Sequence, residues 1–587
     1  MRRYLGLGLL VALGCTEHPD EGTVVSAGPG VAGIPGGSEG VRAERATPVH
    51  GGTLAITSGN VAVVADPDRD SIFVVDLASE AVRAIALPTG AEPGRVIAGP
   101  DAHAFVALRR SGKVLTVDTK SASAVESRAV CPAPRGMAFD AGRGELHVAC
   151  ATGELVTLPA SGPALRSVAL GGDLRDVLVD GARLLVTRFK SAELLVLDET
   201  GALQRTLRPG GVSKDGATSF GVAWRTIALP FGGVAMLHQQ ATIEGVRTES
   251  GGYGGDSFSQ CDPAIVGEGV SRLDPDDVND PSPLVGVTIL PRFAGATDIA
   301  LSPDGNRISV VNVANAWSVD KRPTLYSLPI ASIGSQACGG EQTEPRVPGE
   351  PVALAFAASG KLWVQSREPA ALLSLGGESI ALSHESRADT GFALFHMNSG
   401  RGIACASCHA DGSEDGRVWD FAGIGPRRTQ AVGGGVLARA PFHWDGDIAD
   451  FDSLVHEVFV SRMGAERPNT PQRQLFAQYV DALPAPVGPV VDPARAARGA
   501  KLFESAECAT CHTGPLYTNS DRYDVGTGGT FKVPSLVGVG TRAPFMHNGC
   551  APTLQDRFGS CGGARHGDLT GLGADDITDL VAYLETL

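Results

Sequence analysis

Between residues 51 and 380 the chain repeats one pattern: a short run of Val, Ile, Leu and Ala, a polar turn of Gly, Asp or Pro, then another run. Runs this short, bounded by turn residues, read as β-strands rather than helices. The units align at a spacing near 40 residues. Arg95-Val-Ile-Ala leads to Ala104-Phe-Val-Ala-Leu and Lys113-Val-Leu-Thr-Val; Arg135-Gly-Met-Ala-Phe leads to Glu145-Leu-His-Val-Ala and Glu154-Leu-Val-Thr-Leu. Arg175-Asp-Val-Leu-Val, Thr297-Asp-Ile-Ala-Leu and Pro351-Val-Ala-Leu-Ala-Phe open three more. With units near 60 and 221 the count is about seven, which predicts an all-β propeller of four-stranded blades over 51–380. The stretch 240–295, with Gly251-Gly-Tyr-Gly-Gly255, separates the fifth and sixth units and is expected to be an inserted loop.

After residue 380 the period changes to that of amphipathic helices. Segments ending at Cys405 and Cys508, the stretch Gln472 to Leu483, and Ala574 to Leu587 with Ile577, Leu580, Val581 and Leu584 all carry it. Pro484-Ala-Pro-Val-Gly-Pro489 divides the region into two mostly α units, 381–486 and 487–587. At the other end, Met1-Arg-Arg followed by a short apolar stretch reads as a signal peptide, 1–15, too short to span a bilayer. Ala12-Leu-Gly-Cys15 resembles a bacterial lipobox, which implies lipidation of Cys15 and a place in the cell envelope, periplasmic or on the outer membrane. Residues 16–50, rich in Gly, Pro, Glu and Thr, are expected to be a flexible tether.

Charge and cysteine usage narrow the function. The net charge of −16 argues against nucleic acid as a partner. Of 11 cysteines, four fall in two pentapeptides, Cys405-Ala-Ser-Cys-His409 and Cys508-Ala-Thr-Cys-His512. Each reads as a covalent c-type haem attachment site: the two thiols add to the haem vinyl groups and the adjacent histidine is the proximal iron ligand. A thioredoxin-like pair or half a zinc site is the bland alternative. Besides Cys15, six cysteines remain, and in an oxidising compartment they suggest three disulfides. Pairing by proximity in sequence gives Cys131–Cys150, Cys261–Cys338 and Cys550–Cys561.

Two resemblances follow. The turn Ser302-Pro-Asp-Gly305 resembles the YVTN and cytochrome-d1-like propellers. The C-terminal third is similar to the diheme cytochrome c peroxidase family, the group that includes the enzyme maturing methylamine dehydrogenase. The likeness lies in Cys405-Ala-Ser-Cys-His-Ala-Asp-Gly412, Pro441-Phe-His-Trp-Asp-Gly446, Phe531-Lys-Val-Pro-Ser-Leu536 and Arg542-Ala-Pro-Phe-Met-His-Asn-Gly549. It implies two tandem cytochrome c domains, hence a multidomain fold with two haem c groups, and calcium between the haem units as a further candidate. One haem would pass electrons and the other reduce hydrogen peroxide.

The distal iron ligands decide between these roles, because a six-coordinate haem leaves no position for substrate. Candidates for the first haem are His443, His456 and Met463, of which Met463 is favoured; for the second they are Met546, His547 and His566, of which His566 is favoured. His547 is expected to pack between the haems and Trp444 to lie on an inter-haem path or simply be buried. The sequence departs from the peroxidase pattern where Arg462 replaces a distal glutamate and where 410–430 lacks a histidine. The expectation is therefore an exported diheme electron carrier. Its propeller docks a redox partner of cytochrome or cupredoxin type, and its anchor is in the membrane. A peroxide reductase, or a propeller-based dehydrogenase feeding its own haems, is the alternative; catalytic residues are not identified.

Overall fold

The repeat near 40 residues is a propeller blade. In a computed structural model, which describes residues 30–587 apart from 160, 211–217, 244, 256–263, 278–285, 291–292, 318–323, 335–345 and 564, seven antiparallel sheets follow one another along the chain. Their first strands are Leu54–Ile56, Pro93–Ala98, Pro134–Asp140, Leu174–Asp180, Thr218–Ala228, Ala296–Leu301 and Pro351–Phe356. Six sheets have four strands, and the sixth in order has three among the described residues. Each first strand lies beside the first strand of the next blade, and Pro351–Phe356 returns to Leu54–Ile56, so the first strands ring a central axis.

Alternating apolar residues of adjacent blades interlock to form the core. Val63, Ala65, Ile72 and Val74 of blade 1 meet Val96, Val106 and Leu115 of blade 2, all nearly inaccessible to water. Contact of this kind between flat, Val-rich faces is what a stack of half-buried sheets requires. The ring closes by polar contacts: Thr53 Oγ1 donates to Gln365 Oε1 at 2.7 Å, and Arg367 bridges to Asp68 at 2.9 Å.

Six of the first strands share an irregularity. Register slips between Pro93 and Val96, between Leu174 and Val177, and between Ala296 and Asp298, with counterparts in blades 3, 5 and 7. A bulge re-aims the extra side chain. Arg95, Arg135 and Arg175, the residues that open the aligned repeats, stand beside these slips.

Two sequence expectations need correction. The stretch 240–295 is only partly an insertion: Val266–Leu273 and Val287–Leu290 are the outer strands of blade 5, and the inserted part lies between Thr242 and Val266. Gly267, Glu268, Gly269 and Ser271 had hidden the strand by breaking its apolar pattern. Of the segment expected to be a tether, 16–50, the residues from Gly30 on are described. From Gly30 on the chain is held down: Val31 N–H donates to Gln472 Oε1 at 2.9 Å, Val41 N–H to Thr390 Oγ1 at 2.8 Å, and Ala43 N–H to Asp389 Oδ2 at 2.8 Å. Its Gly and Pro content is used for tight turns, such as Gly36 and Gly40 at positive φ. The signal segment, Cys15, Cys261 and Cys338 lie outside the described residues.

Beyond the last blade strand, Ser379–Ala381, come helices Thr390–His396, Cys405–Cys408, Phe451–Leu454, Thr470–Ala482, Pro493–Ser505, Leu554–Arg557 and Ala574–Leu584, joined by irregular chain. Asp389, Asp450, Asn469, Asp492 and Thr553 cap their N-termini through side-chain oxygens. Disulfides join Cys131 to Cys150 and Cys550 to Cys561, with Cα separations of 6.3 and 5.9 Å.

Candidate cofactor site

The first pentapeptide forms one helical turn, Cys405–Cys408, set directly on the propeller. Ser407 Oγ accepts from Ala404 N–H at 3.0 Å and donates to Ala294 O at 2.7 Å; Ser407 O accepts from Gln239 Nε2 at 3.0 Å. The thiols are unpaired, and burial pushes Cys405 up to about 12. Burial shifts His409 downwards, against the pull of Asp415, which favours the neutral ring. Its Nδ1 faces Ser413 O at 3.3 Å, which places the ring proton on Nδ1 and leaves the Nε2 lone pair free.

Met463 follows a π-helix, Val455–Arg462, and its N–H donates back to Val458 O at 2.9 Å. Such widened turns are rare and recur at functional sites. Met463 is buried in the apolar cluster of Ile403, Ala406, Phe459, Phe476 and Val480, against which Cys405 and Cys408 pack.

The second half-site repeats the scheme. Cys508–Thr510 form a 3-10 turn, and His512 Nδ1 faces Tyr517 O at 3.0 Å. His566 Nδ1 faces Gly562 O at 3.1 Å. Burial lowers His512 to about 4 and His566 to about 3, which favours the neutral ring in both. Their ring centres are 6.2 Å apart, with planes inclined by 30°. A transition metal bonded to two imidazole nitrogens at about 2 Å each spaces the ring centres by roughly 6 Å.

The two half-sites are one sequence pattern used twice. Cys405 and Cys508 are 103 positions apart, and so are Arg439 and Arg542, Pro441 and Pro544, and Asp450 and Thr553. Both prolines follow cis peptide bonds, and both are followed by a residue at positive φ, His443 and Met546. Met463 and His566 are separated by the same 103 positions. A self-alignment of the last 200 or so residues would have revealed this; reading motif by motif did not.

All four thiols, His409, His512, Met463 and His566 line one largely apolar cavity of about 480 Å³. Of the other candidates, His443, Met546 and His547 also line it, whereas His456 is exposed and away from it. His547 stacks on Phe531 at 3.9 Å and meets Trp444 edge-on at 6.3 Å, and Trp444 Nε1 donates to Arg428 O at 2.7 Å. Arg462, on the cavity edge, turns its guanidinium to the Tyr253 hydroxyl at 3.2 Å. Among the described residues no three His, Cys, Asp or Glu side chains converge as a zinc cluster would require.

The segment after the first pentapeptide holds residues that sequence reasoning missed. Asp411, at a left-handed φ of 55°, drives its carboxylate into the propeller axis. It meets His50 Nδ1 at 2.9 Å, Arg175 at 2.9 Å, Arg135 at 3.3 Å and Arg109 at 3.5 Å. Burial would raise this carboxyl, but Arg175, His50 and Arg135 hold it well below the usual range. Glu414 is fixed likewise: burial opposes its charge, yet Arg428 and Lys190 keep it at about 2. Lys190 bridges Glu414 and donates to Thr541 O at 2.9 Å, tying blade 4 to both half-sites. The available signal was the arginine recurring at 95, 135 and 175, a charge at the opening of successive blades.

The described architecture is a seven-bladed propeller whose axis is plugged by a loop carrying a CxxCH motif. No family model matches the sequence, and no curated protein matches it. Among solved structures, a chain of hydrazine synthase from Kuenenia stuttgartiensis is similar at a TM-score of 0.41 and 15% identity, over 57% of this chain and 96% of that one. A streptogramin B lyase is similar at 0.35 and 13%, over 55% and 92%. Virginiamycin B lyase from Staphylococcus aureus gives 0.35 and 11%, over 56% and 94%. Similarity at this level assigns neither activity nor ligand to the chain.

Proposed function

We propose that the protein is an exported diheme c-type electron carrier in which the C-terminal third forms two cytochrome c units, 381–486 and 487–587, on a propeller scaffold. One observation supports the reading: the His512 and His566 rings are 6.2 Å apart in the cavity that Cys508 and Cys511 line, and would hold an iron between them; Met463, 103 positions before His566, would serve the first unit. The donor set suits an iron porphyrin at each pentapeptide: two thiols for the ring edge, a neutral imidazole on one side, and a soft sulfur or a second imidazole on the other. Haem c supplies one reversible electron per iron.

The chain's own residues do the rest. The carbonyls of Ser413, Tyr517 and Gly562 fix the tautomers of His409, His512 and His566. Phe459, Phe476 and Val480 keep water from the first site. Trp444, edge-on to His547, and Phe531, stacked on it, give a short aromatic path along the cavity wall. With Met463 and His566 as second ligands, neither iron would keep an open position, which favours electron transfer over peroxide reduction. Arg462, turned to Tyr253, supplies no acid–base carboxylate for the latter. An axis occupied by Asp411 supports a scaffold rather than an enzymatic propeller. The partner is a small redox protein, and the envelope address with a lipid on Cys15 belongs to the same proposal.

Intact mass and the pyridine haemochrome spectrum test it first, with two haems per chain expected. Spin-state spectroscopy of His566→Ala and Met463→Ala then follows: each should convert one haem, and only one, to high spin. A wild-type protein already holding a high-spin haem that turns over peroxide rapidly would replace the carrier reading with the peroxidase one.

A further inference from the structure

The glycine-rich Gly251-Gly-Tyr-Gly-Gly255 has no role in the scheme above. It belongs to the insertion between Val234–Thr242 and Val266–Leu273 of blade 5, yet it reaches the segment that delivers Met463. Gly251 N–H donates to Ser461 O at 2.7 Å and Tyr253 N–H to Arg462 O at 3.0 Å. These carbonyls end the π-helix, where they have no partner along the helix itself. The Tyr253 hydroxyl accepts from Arg462 Nη1 at 3.2 Å, and Gly255 N–H donates to Arg401 O at 3.1 Å, on the run into Cys405. The loop is rooted in the propeller: Ile265 N–H donates to Tyr253 O at 3.1 Å, just before the third strand of the blade.

Two of these glycines leave no room for a side chain. A β-carbon on Gly252 would lie 2.3 Å from Arg247 O, a backbone atom, and one on Gly254 would lie 2.5 Å from the Arg401 side chain. From the helical unit, Met463 N–H donates to Val458 O at 2.9 Å and Ala465 N–H to Phe459 O at 3.1 Å. A thioether is an uncharged, weak donor, so its bond depends on where the backbone holds it.

We propose that the Gly251–Gly255 loop is the positioning element for Met463, so that blade 5 determines how firmly the sixth position of the first haem is closed. This rests on the haem reading above. Tyr253 and Gly252 act through Met463 and touch no reacting atom.

The test uses the full-length, haem-loaded protein and the variants Tyr253→Phe, Gly252→Val and Met463→Ala. Three quantities are read: haem content by haemochrome, the long-wavelength sulfur-to-iron charge-transfer band, and the rate at which cyanide displaces the distal ligand. With the clamp, Tyr253→Phe and Gly252→Val keep two haems, and cyanide binds the first haem about tenfold faster than in wild type, the size expected for losing a hydrogen bond to a charged group. Cyanide rates within about twofold of wild type for Tyr253→Phe, which removes one oxygen and keeps the fold, would overturn the clamp. If Met463→Ala leaves the charge-transfer band intact, Met463 is no ligand and the clamp falls with that assignment. If Met463→Ala abolishes the band while the loop variants change nothing, the ligand reading stands and the clamp alone is refuted.

Discussion

Glu268 is a buried carboxyl whose side-chain hydrogen-bond partners are neutral, the Arg417 guanidinium acting on it only from beyond Gln239. Trp224 Nε1 donates to it at 3.2 Å and Gln239 Nε2 at 3.3 Å, and among the described residues no cation lies within ion-pair distance. Burial pushes its pKa up to about 8. The native state therefore holds a proton that the unfolded chain releases near the ordinary glutamate value of 4.5. Between the two values the folded state binds more protons, so stability falls as pH rises through this window and levels off above it. Urea titrations from pH 4 to 9 should show this slope, at most about 1.4 kcal/mol per pH unit, and Glu268→Gln should remove it. An unchanged slope in Glu268→Gln would mean that the carboxyl is ionised in the fold. Asp411 is the opposite case, a carboxylate among three guanidinium groups. Asp411→Asn leaves those charges buried and is expected to cost about 3–5 kcal/mol in urea unfolding. Neither residue was legible in the sequence, for a physical reason. The pentapeptides announce themselves because their spacing is local, whereas His50 and Asp411 are 361 positions apart and meet only when the ring closes.

At the scale of elements, periodicity located the blades and most helices but not what holds them. The helix after the last blade, Thr390–His396, is shorter than the amphipathic pattern suggested because Asn398 turns the chain: its Oδ1 takes the N–H groups of Gly400 and Gly402 at 3.0 Å each. The strap from Gly30 to Ala43 read as tether because its composition is that of a linker; its order comes from partners far along the chain. Gln472 is the centre of that contact. Its side chain bonds Val31 N–H, Val31 O and Gly37 O, and it also caps its own helix through Asn469 N–H. Gln472→Ala strands several buried backbone groups and should destabilise the protein by about 2–4 kcal/mol. Hydrogen exchange should then show the loss over Gly30–Ala43 and Thr470–Ala482, with blades 1 to 4 unaffected. Uniform loss across the blades would mean that the strap stabilises the whole ring.

At the scale of the molecule, the two related half-sites stand on different foundations. The second has its own core: Phe503, Val539, Leu554, Leu580 and Leu584, with every packing partner drawn from residues 502–587. The first shares one apolar cluster with the propeller, in which Phe392, Phe459, Met463 and Phe476 pack with Val246, Ile265, Val313 and Val352. Its pentapeptide loop is also tied to propeller residues, Ser407 to Ala294 and Gln239, Arg417 to Gln239, and Asp411 to the axial arginines. Two segments of similar sequence pattern need not be equally autonomous, because stability follows buried contacts and not sequence likeness. A fragment comprising 487–587 is therefore expected to fold and take up one haem with two imidazole ligands. A fragment comprising 384–587 should gain that same haem and fail to build a methionine-ligated one, since the contacts that place the first loop and the Met463 segment are lost. Haem counts by intact mass, with the charge-transfer band as the marker for Met463, decide the matter. A 384–587 fragment carrying two haems and the full band would show that the propeller is dispensable for the first site, and that its plugged axis serves only to hold two independent domains together.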